Sequence, residues 1–466
     1  MTVFTNADFI SCEANNRNFS TMVVDKGRIV YTGNEIPAQY SKVEKINLGG
    51  KCVVPAFADT HIHFESYALF MSTLDVRDAV DFEDMGRMVK EYFKANPKVK
   101  FLPAFGCTAH TVKEKRLPER KDLDKMTDVP FMIVKYDGHA CVANSAFINT
   151  MPEAVKKDPG FNAETGWMYQ NAFYGGVNFM TSKVPPTKIL DSIIRASDFM
   201  AKRGIALIHN VEGVGYKNDI DITTINFVSK GLPQAFRIFF QTMDTQKVVK
   251  RKFPRIGGCF RLALDGCFGS EDAALSLPYE NDPNNKGFLL YTQEEVNEFC
   301  VRANRLGLQI TMHAIGDVAV DQALTAYEAA LNDFPRKDHR HIIIHADLIP
   351  EDMQVRAAKL GICIAVQPAF LYWKHEPAEY LEKILDALRV HTSWAAYMSF
   401  DENERGSLQN GLIADFVVLS ENPLKVPVDR IENIKVEDIY FSGAKYKKSV
   451  SGAAALVCKA LLHKAR

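Results

Sequence analysis

The sequence predicts an α/β fold: a TIM-like (β/α) barrel with seven recognisable strands and no eighth, joined to a small β-sandwich made from both chain ends. Three observations carry this. Seven short apolar runs recur through the middle of the chain, separated by stretches of helical periodicity; this is the pattern of βα units around a parallel sheet. Both ends carry short strand-like segments with glycine turns. Four histidines end three of the apolar runs, on the rim where barrels build their sites.

Residues 1–54 read as short strands, and D-K-G after Val24 is a hairpin signal. Segments 406–420 and 436–446 mirror them. Neither end alone buries an apolar face, so 1–54 and 402–450 are expected to form one composite sandwich, with Val23, Ile29, Val417 and Val418 in a shared core. The barrel then occupies 55–401. Its strand candidates are 53–60, 205–210, 236–241, 261–266, 308–313, 342–345 and 362–367. They are nearly continuous in apolar residues because a barrel strand is buried on both faces. An inserted subdomain at about 65–182 carries its own strands, 101–106 and 131–136. Residues 451–466 read as a C-terminal helix. After the seventh run comes F-L-Y-W-K-H and one amphipathic helix, with Leu381, Ile384, Leu385 and Leu388 on its apolar face, then H-T-S-W-A-A-Y-M. A seven-stranded remnant leaves open edges at 362–367 and 53–60.

Bulk properties narrow the function classes. The 466 residues are 47% hydrophobic and 24% charged, with a formal net charge of −1. That balance gives no electrostatic footprint for nucleic acid. No run is long and apolar enough to suggest a membrane span, and the N-terminus has no signal-peptide pattern. Nine dispersed cysteines without a C-x-x-C pair suit a reducing cytoplasm and packed thiols. A small-molecule substrate and a homodimer are the default expectations.

The chemistry concentrates at D-T-H-I-H, directly after an apolar run. Residues two apart in a strand share a side, so His61 and His63 project together, as zinc ligands do. His313 ends L-Q-I-T-M-H and His345 ends I-I-I-H. Four strand-end histidines on one rim point to a divalent metal, zinc first. His209, ending I-A-L-I-H-N, reads as structural, and His339, His341 and His375 as surface or supporting residues.

These motifs resemble those of the amidohydrolase superfamily. G-K-C-V-V-P-A-F-A-D-T-H-I-H-F looks like its opening motif. D-G-H-A-C-V-A-N-S, L-D-G-C-F-G-S-E-D-A-A-L, M-H-A-I-G-D, I-I-I-H-A-D and G-L-I-A-D-F-V-V-L resemble, in order, motifs of the amidohydrolase-3 group, which includes N-substituted formamide deformylases. The resemblance implies hydrolysis of a carbon–nitrogen bond other than a peptide bond: an amide, formamide or cyclic amide of a small molecule. It implies that His61 and His63 carry a first metal site, which His313 and His345 complete or extend to a second ion. It also implies that His139 and Asp265 orient substrate; the plain alternatives are a turn residue and a loop-capping carboxylate.

Two departures from the group matter. Arg261 stands where relatives carry a lysine that can become a bridging carbamate, and a guanidinium cannot do so. The S-D-A-P-like aspartate of an eighth strand, the group's general base, is not found, so the catalytic base is unknown; Asp347 is a candidate stand-in. Both departures predict about one ion per chain or fewer, slow turnover and lowered stability. They support an alternative reading: a catalytically impaired homologue that binds metal or ligand without efficient turnover. A nucleobase deaminase shares the H-x-H logic but fits the D-G motif less well.

Overall fold

In the computed structural model, which describes residues 1–109, 111–136, 138, 140–213, 219–280, 282–367 and 384–463, the chain opens with β1 (Thr2–Ile10), β2 (Asn18–Asp25), β3 (Arg28–Gly33) and β4 (Glu44–Pro55). β5 (Phe57–Ile62) then starts a parallel sheet. A separate compact unit, Phe64–Ala196 with Val214–Asp221, holds β6 (Leu74–Asp75), β7 (Leu102–Cys107), β8 (Phe131–Lys135), β9 (Ala140–Ala143) and β10 (Trp167–Tyr169). The parallel sheet resumes with β11 (Ile205–Glu212), β12 (Ala235–Phe240), β13 (Arg255–Ala263), β14 (Gln309–Ala314), β15 (Ile342–His345) and β16 (Cys363–Ala365). The chain closes with β17 (Phe416–Leu419), β18 (Val436–Phe441), β19 (Ala444–Lys445) and a helix, Ala453–Leu462.

The two chain ends share one mixed sheet, ordered β19-β18-β17-β4-β1-β2-β3. Its joint is the antiparallel pair β4–β17, where Val417 lies opposite Val54 and Val418 opposite Val53. Side chains alternate between faces along a strand, and both faces of β17 are apolar. Phe416 and Val418 join Phe4, Ile29 and Val53 in one cluster, while Val417 and Leu419 join Cys52, Val54 and Ala206 of β11 in another. One face therefore closes on its own sheet and the other on the barrel side. The D-K-G signal is a two-residue hairpin between β2 and β3, with Lys26 and Gly27 both at positive φ (48° and 80°), as a type I′ turn requires.

The barrel sheet runs β5-β11-β12-β13-β14-β15-β16, all parallel, so the described residues contribute seven strands to a nearly closed barrel. The sequence placed the fourth of these at 261–266; it begins six residues earlier, at Arg255. The reason is an extended bulge of four residues, 259–262. Gly258 pairs with Met312, but the next ladder partner, His313, pairs with Ala263. Two glycines make the bulge possible: a Cβ on Gly257 would lie 2.0 Å from the Thr311 carbonyl oxygen, and one on Gly258 would lie 2.4 Å from Gln241 Cγ.

The first-strand edge is not left bare. The Ala58 N–H on β5 donates to the His391 carbonyl at 2.7 Å, and Ala58 packs with Ala395 and Ala396 of the helix Ser393–Met398. At the other edge Val366, just past β16, is 41% exposed. Residues 368–383, where F-L-Y-W-K-H and Leu381 fall, lie outside the described residues.

In the second unit β6, β7 and β8 run parallel, β9 pairs antiparallel with β8, and β10 pairs antiparallel with β9. One face of this sheet packs on helices Phe82–Ala95 and Arg120–Met126. The other packs on helices Ser145–Thr150 and Gln170–Thr181.

Candidate metal centre

At the C-terminal end of the parallel sheet, β5, β13, β14 and β15 bring side chains together. The His61 ring lies edge-on to His63 (centroids 5.1 Å) and to His345 (5.3 Å), and His345 lies edge-on to His313 (4.7 Å). Within this group the donor atoms of His61, His345 and Cys259 all fall within 4.8 Å of one another. His63 and His313 stand next to His61 and His345, one on each side.

The surrounding backbone fixes these rings. Asp59 accepts the His61 N–H at 3.0 Å, bending the chain as β5 ends. His63 Nδ1 lies 2.7 Å from the Val211 carbonyl of β11, which fixes that nitrogen as the protonated one. His345 and Ala346 both have positive φ (76° and 53°). Such conformations cost about 1–3 kcal/mol each and are held here by Ala346 N–H on the Ala314 carbonyl and Leu348 N–H on the Ile315 carbonyl. Burial, then the neighbouring His63 and His313, keep the His61 pKa well below the usual histidine value, so the ring stays neutral, the form that ligates. Burial pushes the Cys259 thiol up.

Asp265 stands behind His313. It is 1% exposed, and its carboxylate accepts the N–H groups of Ala274, Ile315 and Gly316 at 2.8–3.0 Å. Oδ1 lies 3.5 Å from His313 Nε2, which also meets the Gly266 carbonyl at 2.9 Å. Burial raises its pKa to about 6 against those three amides.

Residues 44–383 and 376–445 match the amidohydrolase family. The chain belongs to the amidohydrolase family. Among its relatives, YtcJ of Bacillus subtilis is 22% identical, over 91% of this chain and 96% of that protein. The N-substituted formamide deformylase of Arthrobacter pascens is 21% identical, over 96% of this chain and 98% of that enzyme. A crystal structure of an uncharacterized metal-dependent hydrolase from Pyrococcus horikoshii superposes with a TM-score of 0.71 at 22% identity, over 91% of this chain and 98% of that one; the two share a fold.

The site of this amidohydrolase differs from its sequence reading at several points. Cys259 was missed, because the bulge in β13 hides which residue of that strand faces the histidines. The only signal available was the G-G-C step itself. Arg261 lies in β13, and its side chain is outside the described residues, as are Asp137 and His139. Asp265, read as either a substrate-orienting or a loop-capping carboxylate, is buried and caps three backbone N–H groups beside His313. Asp347 is exposed just past the end of β15. Of the two readings given for His339 and His341, surface or supporting, the structure shows buried residues just before β15, where His341 stacks on Tyr327 and its Nδ1 accepts the Ile310 N–H at 3.1 Å.

His209 is wholly buried on β11, beside Phe239, and neither ring nitrogen has a hydrogen-bond partner. Burial, with Arg255 and Arg237 nearby, brings its pKa down to about 3. Between the unfolded value near 6.5 and that figure, the unfolded chain binds a proton that the folded one refuses, so stability falls as pH falls. The loss is about 1.4 kcal/mol per pH unit, or about 2 kcal/mol from pH 7 to 5. Urea unfolding at both pH values should show this difference shrinking by about that amount in His209→Gln. An unchanged difference would count against it.

Proposed function

We propose that this chain is a metal-dependent hydrolase of carbon–nitrogen bonds other than peptide bonds, acting on an amide, formamide or cyclic amide of a small molecule. The observation that carries this reading is the convergence of His61, His345 and Cys259 donor atoms within 4.8 Å, at the C-terminal end of the barrel of an amidohydrolase. The residues fit a metal: burial keeps the His61 ring neutral, and neutral imidazole and thiolate are zinc donors. His61 and His345 would hold the ion, with His63 and His313 completing or extending the site. When bound, a divalent ion polarises a carbonyl and brings the pKa of a water to near 7. The Arthrobacter relative is named for deformylation of N-substituted formamides, which directs the first substrate choice.

A second reading keeps the metal and drops efficient turnover. The observation favouring it is that the converging donors include no carboxylate, so the described cluster holds no proton acceptor of that kind. Loss of a general base costs about 10²–10⁴ in rate. The two readings separate in one experiment: N-formyl and N-acyl amines are incubated with protein reconstituted with zinc, then with the same protein stripped by chelator. Chelator-sensitive release of formate or carboxylate supports the enzyme. Metal uptake with no turnover supports the second reading, and neither uptake nor turnover defeats both.

Asp265 gives a graded test. In Asp265→Asn the amide NH₂ can face one of the backbone N–H groups that the carboxylate now accepts, loosening the loop behind His313. Groups that orient a ligating histidine are worth about 10–100-fold in metal affinity, so chelator competition should show a loss of that size. Affinity equal to wild type would remove Asp265 from the positioning role.

A further inference from the structure

The metal reading leaves one donor of the cluster without a role. Cys259 Sγ lies 3.3 Å from His61 Nε2 and, with His345, within the 4.8 Å group. For a tetrahedral zinc ion with Zn–N near 2.1 Å and Zn–S near 2.3 Å, nitrogen and sulfur ligands stand ~3.6 Å apart. The observed separation is already close to that spacing. The position is also built rather than incidental. The thiol is delivered by a bulge that only Gly257 and Gly258 can form, and its backbone N–H is held by Gln241 Oε1 at 2.9 Å. A cysteine needed only for packing would not call for a four-residue departure from the β13–β14 ladder.

We propose that Cys259 is itself a ligand of the metal, so that a thiolate joins His61 and His345 in a mixed nitrogen–sulfur donor set. This rests on the metal-site reading above. On binding, the S–H bond breaks, a sulfur–metal bond forms, and the proton leaves to solvent, as metal coordination deprotonates thiols generally. The functional consequence is selectivity. Thiolate favours zinc, and cobalt or cadmium as its analogues, over manganese and magnesium, which prefer oxygen. A donor set with sulfur in it also places a negative charge against the ion from β13, where the described cluster has no carboxylate. The plain alternative is a thiol that donates a hydrogen bond to His61 and meets no metal.

The test titrates metal-stripped full-length protein, and its Cys259→Ser and Cys259→Ala variants, with Co²⁺ and follows near-ultraviolet thiolate-to-cobalt charge transfer. The wild type should develop this band at one equivalent. Both variants should lose the band and bind Co²⁺ about 10–100-fold more weakly or worse, while preference for zinc over manganese, measured by competition, should narrow. Tight cobalt binding without the band, or a band unchanged in Cys259→Ala despite the eight remaining cysteines, overturns the assignment and leaves the metal site standing. If the wild type binds no cobalt, zinc or manganese at all, the metal-site reading fails, and this inference with it. If Cys259→Ala does not fold, Cys259→Ser carries the comparison, and wild-type cobalt binding without the band still overturns the assignment.

Discussion

Replacing His61 by alanine should leave the protein without retained metal and lower turnover about 10³-fold or more, the loss expected when several kcal/mol of Lewis-acid stabilisation disappear. His61 stands against three members of the group: 5.1 Å from the His63 ring, 5.3 Å from the His345 ring and 3.3 Å from Cys259 Sγ. Removing it takes away one ligand and the contact that aligns the other two. The substitution leaves a cavity but no buried unpaired charge, because the ring is neutral, so the fold should survive. Elemental analysis after dialysis, with circular dichroism as the control, reads the outcome. A folded His61→Ala protein that keeps one equivalent of metal would mean that the ion sits elsewhere.

The four histidines were legible because strand ends and a spacing of two are sequence properties. His313 and His345 close apolar runs that are buried along their whole length, and no turn of tertiary structure could move them off the rim. Cys259 was illegible for the opposite reason. Counting back from Asp265 presumes a regular strand, and residues 259–262 break the register opposite Met312 and His313. Asp265 is expected to orient substrate only through the family resemblance, with a loop-capping carboxylate as the alternative, and three backbone amides converge on its carboxylate from residues 274, 315 and 316. No local pattern announces a partner fifty residues away. The chain-end sheet was legible from alternation at both ends, but not its joint, since β4 and β17 meet across the whole length of the barrel segment. Open barrel edges at 362–367 and 53–60 follow from strand count alone; the grip of residues 391–401 on the barrel is set by side chains of distant strands, which no local pattern shows.

That segment carries the largest stability prediction: Asp401→Ala should cost about 3 kcal/mol, the low end for breaking a buried pair, because Asp401 is buried while the Arg237 side chain that it leaves unpaired is 20% exposed. Asp401 is 3% exposed. It pairs with Arg237 of β12 through two hydrogen bonds, one of them Nε to Oδ2 at 2.7 Å, and accepts the Ser399 hydroxyl at 2.6 Å. Burial works against its charge, but Arg237 and Ser399 outweigh it and hold its pKa below the usual carboxylate range. The neighbouring carbonyls are gripped in turn. Arg255 of β13 donates to Ser399 O at 2.8 Å, Gln309 of β14 to Met398 O at 2.9 Å, and Arg340, just before β15, to Tyr397 O. Four successive barrel strands are thus tied to residues 397–401, and His391 bonds the Ala58 edge of β5; the segment does part of the closing that an eighth strand would do. Against a total stability of about 5–15 kcal/mol, losing its anchor should move the urea midpoint far more than any single surface change. The sign with pH follows from the depressed pKa: this contribution is present above the unfolded carboxylate value and is lost as pH falls through the folded one. The Asp401→Leu, Arg237→Met double variant removes both charges and should recover most of the loss. A single Asp401→Ala cost below about 1 kcal/mol, the range of exposed pairs, would show that the barrel is held shut by something other than this clamp.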